Sequence, residues 1–312
     1  MQAFVAPTDR QWFEFLALQP NLDEANFWLP NPWGGRFRVI RPGELLLFKL
    51  KHPYNVIAGG GTFAHYTDLP ISRAWEALGT KNGAASLQEM SASIARLRKV
   101  QPSFREDFTI GCILILQPFF WREEDWMPQS ADWKPTIVRG RSYDLSTGSG
   151  RELWKGVTAR LRRPPGTGTL AESPTGIVPG GYGDPIRARR RLGQGTFKVL
   201  VTDAYQRQCA ITREKALPVL EAAHIRPFSH IPEHSVSNGL LLRSDVHRLF
   251  DLGYLTVTPE YRVLASQRMR TDFNDGDNYI KLHGSTIFVP ENPAFRPDPA
   301  VLRWHNEGRY LG

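Results

Sequence analysis

The 312-residue chain has little cysteine, with only Cys112 and Cys209, 97 positions apart. That scarcity excludes a disulfide framework and a zinc cluster built from thiolates, and it suits a reducing cytoplasm, the location expected for this protein. Long apolar runs are also missing. The longest, LLLF and CILIL, fall far short of the roughly 20 residues a membrane-spanning helix needs. The opening MQAFVAPTDRQWFEF has no basic stretch followed by an apolar run, so no secretory leader is read there. No internal repeat is found. Acidic residues are in deficit, 31 Asp and Glu against 39 Lys and Arg, and the resulting +8 favours a polyanionic partner, nucleic acid first among them.

A chain of this length is sufficient for two ordinary cores. The division falls where RLRRPPGTGTLAESPTGIVPGGYGDPIRARRRLGQGTFK gathers proline and glycine without apolar periodicity. Eight basic residues against Glu172 and Asp184 give this stretch most of the net charge. It reads either as a solvated tether or as an arm whose Arg187, Arg189, Arg190 and Arg191 neutralise DNA phosphates. The expected layout is therefore a domain over 1–160, a basic linker over 161–195 and a second domain over 196–312.

In the first half, NFWLP, RFRVI, ELLLFKL, NVIAGGGTFAHY, TIGCILILQPFFW and TIVRG are short apolar runs broken by turn signals and are expected as strands. LPISRAWEAL and SLQEMSASIARLRKV carry apolar residues at helical spacing, and Ser86 is placed to cap the second, with Glu89 three positions on. A small barrel with packed helices follows. Trp121, Trp126 and Trp133 are expected as loop anchors. The triple glycine Gly59 to Gly61 lacks the lysine and serine of a phosphate cradle. In the second half TFKVLVTDAY reads as a helix, QCAITREKALPVLEAAHI as a hairpin, NGLLLRSDVHRLFDLGY as a helix stopped by glycine, and LTVTP and RVLAS as strands.

Chemistry concentrates in residues 220 to 253, which hold four of the eight histidines. His224 ends an apolar strand, where a neutral imidazole can take a proton from water. His247 and Asp251 are four apart and so project from one helical face. Imidazole plus carboxylate is a mixed ligand set suited to Mg²⁺ or Mn²⁺, leaving positions for water and a phosphate oxygen. Arg226, Arg243 and Arg248 flank the segment as phosphate clamps or solvated surface. His230 and His234 are read as bystanders, and Cys209 as a small hydrophobe.

The combination of Cys209 to Thr212, Glu221 to Pro227, Asn238 to Leu240 and Asp245 to Asp251 resembles the HNH endonucleases of ββα-metal fold. That resemblance implies His224 as general base, Asn238 as the residue that pins the loop, and His247 as a metal ligand. Many members place an Asp or His directly before the base; here that position is Ala223. Asp251 is assigned the missing ligand role, with Glu221, on the same strand face as Ala223, as the substitute. More weakly, NFWLPNP followed by PGELLLFKLKHPYNVIAGGGTF resembles the PUA-like, EVE-type readers of modified bases. Fused to an HNH nuclease, such a domain implies a modification-dependent restriction endonuclease that flips a modified base, expected to be a 5-modified cytosine, into an aromatic pocket. Trp28, Trp33, Tyr66 and Trp75 are candidate stacking faces, and Asn26 or His65 candidate edge readers.

The fold expected is thus α+β, a PUA-like β-barrel followed by a ββα-metal HNH nuclease. The partner expected is double-stranded DNA carrying modified bases, cut with a divalent metal, with a homodimer needed to cut both strands. Two competing readings are a binding protein whose nuclease domain is inactive, and a nonspecific HNH nuclease.

Overall fold

The computed structural model describes residues 1–34, 37–101, 107–161, 193–227 and 235–312. The chain divides into two compact units, Met1–Ala188 and Arg189–Gly312.

The first unit is built on one sheet. Its elements in chain order are β1 (Gln2–Thr8), α1 (Arg10–Ala17), β2 (Glu24–Leu29), β3 (Leu45–Leu50), β4 (Val56–Pro70), α2 (Ile71–Leu78), α3 (Leu87–Arg98), β5 (Thr109–Phe120), β6 (Met127–Pro128), β7 (Arg141–Asp144) and α4 (Gly148–Leu161). The strand path is β2-β5-β4-β3-β1-β7, with β6 paired to β4; β1 and β3 run parallel and the other pairs antiparallel. Alternation along β1 and β3 sorts side chains to two cores. Phe4, Ala6, Leu46, Phe48 and Leu50 pack with Trp12, Phe13 and Leu16 of α1, whereas Ala3, Val5 and Leu47 pack with Leu153 and Val157 of α4. Ser86 does cap α3, accepting from the Glu89 N–H at 3.2 Å, while Glu89 reaches back to the Ala85 N–H.

The architecture is mixed α and β, but the expected barrel is not seen. Closure requires the end strands to exchange ladder bonds. Among the described residues β2 pairs only with β5, and the four-residue β7 only with β1. Bulges at Phe48/Lys49, Gly60/Thr62 and Phe63/His65 bend the long strands without joining the ends. Two expected strands are loops over their described residues. In RFRVI, Phe37 is held by its ring, stacked on Tyr66 with centroids 5.1 Å apart; in TIVRG, Val138 is exposed. Trp121 is a fully buried core residue rather than a loop anchor. The triple glycine lies within β4, where a Cβ on Gly61 would come within 2.3 Å of the Ile115 side chain, so the close approach of β5 explains it.

The second unit comprises α5 (Gln194–Ala204), β8 (Leu220–His224), β9 (Gly239–Arg243), α6 (Ser244–Asp251), β10 (Leu255–Val257), β11 (Val263–Ala265), α7 (Arg268–Phe273), α8 (Asp277–Ile280) and α9 (Pro299–Gly308). β8 pairs antiparallel with β9, Glu221 opposite Leu242 and His224 opposite Gly239. This corrects two expectations. The partner of β8 arrives only after Asn238, so 208–225 is no hairpin, and GLLLR is a strand. Leu240, Leu241 and Leu242 are all buried, as in a strand covered on both faces, and the helix starts at Ser244.

Candidate functional site

In the second unit, β8, β9 and α6 succeed one another as strand, strand and helix. α6 buries Val246 and Phe250, one turn apart, against the core. The next residues along, His247 and Asp251, are about 100° further round the helix and share an adjacent face. His247 Nδ1 lies 2.6 Å from Glu221 Oε2 on β8, and its Nε2 lies 3.4 Å from Asp251 Oδ2. A carboxylate only accepts, so the Glu221 contact fixes the neutral ring as the Nδ1–H tautomer. In that neutral form the Nε2 lone pair faces a second acceptor, whereas a protonated ring would donate to both carboxylates. Donors 3.4 Å apart can both reach a divalent ion about 2.1 Å from each, off the line that joins them, and a carboxylate on the far ring nitrogen is what a metal-binding imidazole usually has behind it. The donor set therefore suits a divalent ion held by His247 Nε2 and Asp251. Glu221 and Asp251 contact different ring nitrogens, and among the described residues no three His, Cys, Asp or Glu side chains form a metal-holding cluster. Among the described residues His247 and Asp251 place two donors together, and Glu221, expected as the substitute ligand, contacts the other ring nitrogen. Ala223 is buried.

His224, half-buried at the end of β8, stacks its ring on Phe197 of α5. Asn238 is buried, and its amide spans the loop: Nδ2 donates to the Arg226 carbonyl and Oδ1 accepts from the Arg226 N–H, each at 2.9 Å. The Ile225 N–H also donates to the Asn238 carbonyl. Both strand ends are tied beside His224. Cys209 does more than fill space, since its sulfur accepts from the Thr212 and Arg243 N–H groups beside the start of α6.

The flanking arginines differ. Arg243 makes a two-pronged ion pair with Asp245, at 2.6 and 2.7 Å, and that guanidinium, with the Tyr279 hydroxyl, holds the Asp245 carboxyl down at about 2. A group so committed is a poor phosphate clamp. Arg226 lies over the Trp304 ring at 5.2 Å, and Arg248 is exposed on α6. His230, His234, Arg187, Arg189, Arg190 and Arg191 lie outside the described residues.

The first unit carries a cleft of about 630 Å³ lined by Trp12, Phe27, Trp28 and Trp33, with Asp9, Asn31, Lys51 and Arg139 among its polar groups. Of the pocket residues read from sequence, Trp28 and Trp33 line it. Tyr66 stands behind: its hydroxyl accepts from the Trp33 N–H at 2.7 Å and donates to Asp68 at 2.5 Å, and burial with this bond pushes the phenol upward. Asn26 is fully buried and turned inward, donating to Asn82 and to the Cys112 sulfur; neither it nor Trp75 nor His65 lines the cleft. Trp12, Phe27 and the charged groups were missed, because Trp12 comes from α1 and Asp9, Lys51 and Arg139 from separate loops that spacing along the chain does not bring together.

Residues 209–258 match the model of the HNH endonuclease family, so the second unit carries an HNH endonuclease module. No curated protein matches the chain. Among solved structures, ASCH from Zymomonas mobilis aligns over 49% of this chain and 94% of its own, with 8% identity and a TM-score of 0.33. A structure described as the modification-dependent TagI restriction endonuclease aligns over 86% of this chain and 62% of its own, with 12% identity and a TM-score of 0.29. At these scores neither likeness fixes a fold or function for this chain. Among the described residues no helix is long and apolar enough to cross a membrane.

Proposed function

We propose that the chain is a modification-dependent DNA endonuclease, in which the first unit takes a modified base, a 5-modified cytosine, from double-stranded DNA and the HNH module hydrolyses a phosphodiester. The observation that carries the nuclease reading is the convergence of His247 between Glu221 and Asp251 on one side of a ββα unit whose strand end bears His224. His224 takes a proton from water as the water oxygen attacks phosphorus, and the P–O bond to the leaving oxygen breaks in line. Glu221 keeps the His247 ring in one tautomer and orientation, and Asn238 holds the loop that follows the base. His247 and Asp251 would hold Mg²⁺ or Mn²⁺, which when bound supplies positive charge against the phosphate. One such site cuts one strand, so a double-strand break calls for two copies of the chain on DNA.

The cleft supports the reader assignment by its size, within the range of small-ligand sites, and by its four aromatic side chains beside a few polar ones. Base stacking on such faces offsets the few kcal/mol that extrusion costs. Lys51 and Arg139 at the same cleft suit the phosphates beside an extruded nucleotide. The test is plasmid cleavage with Mg²⁺ or Mn²⁺: the wild type cuts, and His224→Ala loses hydrolysis while binding DNA as before, since a base that acts on water contributes little to ground-state binding. Equal loss of binding, or no cleavage by the wild type, contradicts the assignment.

A further inference from the structure

The β8 strand delivers His224 to the site but does not fix the plane of its ring. The second side-chain torsion of histidine is broad, with two shallow wells, so a strand-end imidazole can turn its nitrogens through a wide arc. In this protein the ring is not left to do so. Phe197, fully buried on α5, lies flat against it, with centroids 4.0 Å apart and planes 11° apart. Turning the imidazole would break this face-to-face contact. The opening that admits Phe197 is made by Gly239, which faces His224 across the β8–β9 ladder. A Cβ there would come within 3.0 and 3.1 Å of the Phe197 ring and 2.7 Å of Val201 Cγ2. The backbone of Gly239, φ −126° and ψ 145°, is ordinary extended chain that any residue adopts, so conformation does not require glycine here. Space for the phenyl ring does.

From this geometry we infer that Phe197 is a positioning residue for the nuclease reaction: through the cleared position at Gly239 it holds the His224 imidazole in the plane from which it takes the proton of water. The inference rests on the proposed role of His224 as general base. It assigns a function to a residue outside the HNH segment, 27 positions before the histidine it serves. Misplacement of a reacting group by about an ångström costs on the order of 100-fold in rate.

The experiment uses the full chain and measures single-turnover cleavage of duplex DNA at saturating enzyme, DNA affinity, melting temperature and the His224 ring-proton resonances, assigned by their loss in His224→Ala. Phe197→Leu removes the aromatic face, and Gly239→Ala pushes it away. Both should lower the cleavage rate about 10- to 100-fold with DNA affinity unchanged. Leu200→Ala, buried in the same helix, is the structural control and should keep the rate despite a lower melting temperature. In the wild type the His224 ring protons should be shifted upfield by the phenyl ring, and Phe197→Leu should abolish that shift. A folded Phe197→Leu or Gly239→Ala protein that cuts within twofold of the wild-type rate overturns the proposal. So do unshifted ring protons in the wild type, a reading that needs no variant to fold. Failure of the nuclease reading itself is distinguishable: the wild type would not cut, whereas the ring-proton shift would still report the stack.

Discussion

At the scale of single residues, the proposed mechanism gives His224 and His247 separable duties. His247→Ala should abolish cleavage and weaken Mn²⁺ binding measured by calorimetry, because a ligand is lost. Glu221→Gln keeps the side chain's size and removes its charge. Its expected effect is a loss of about 10- to 100-fold in metal affinity or activity, as for other groups that orient a ligating histidine. Metal affinity unchanged in both variants would place the ion elsewhere. The placement of His224 at a strand end and of His247 and Asp251 on one helix was legible in the sequence because these relations are local. Asn238 was legible only through the family pattern, and its duty appears in the pair of bonds to the Arg226 backbone. Phe197 belongs to no motif, and its contact with His224 spans a register that spacing along the chain does not reveal. Arg243, read either as a phosphate clamp or as solvated surface, is engaged by Asp245 two residues on, a partner that spacing alone did not single out.

At the scale of elements, α6 is held from behind by α9 through one ring. His305 is buried, stacks on Phe250 with centroids 3.8 Å apart, and pairs Nδ1 with the Thr256 hydroxyl of β10 at 2.8 Å. Burial lowers this imidazole from 6.5 to about 4. Its folded pKa lies below the unfolded value, so its neutral form contributes fully above pH 6.5 and the contribution fades as pH falls toward 4. The expected loss across that window is about 3 kcal/mol, seen as a melting temperature that drops between pH 6.5 and 4 and drops less in His305→Gln. An identical pH dependence in the variant would rule the group out. Elements were legible where pattern and burial agree, as in α2, α3, α5, β3 and β5. They were misread at β9, whose leucines serve two faces of a short strand and mimic helical spacing. The barrel expectation failed for another reason, since closure depends on which strand ends meet and no local pattern encodes that.

For the molecule as a whole, the basic stretch over residues 161–195 is the part of the sequence whose role depends on the partner. If Arg187, Arg189, Arg190 and Arg191 contact phosphates, neutralising all four should lower the slope of log affinity against log salt by about 0.9 per lost contact. An unchanged slope would leave the stretch a solvated tether. In the proposed function the cleft with its four aromatic side chains selects the substrate that the HNH module cuts. The most direct test of this selection is digestion, in Mg²⁺ or Mn²⁺, of matched duplexes that differ only in carrying cytosine, methylcytosine, hydroxymethylcytosine, glucosylated hydroxymethylcytosine or N6-methyladenine. A duplex with a 5-modified cytosine should be cut faster than the unmodified one, and Trp28→Ala should narrow the difference by about 5- to 150-fold, the worth of one stacked base. Equal cleavage of all five duplexes, or preference for N6-methyladenine alone, would contradict the proposed function.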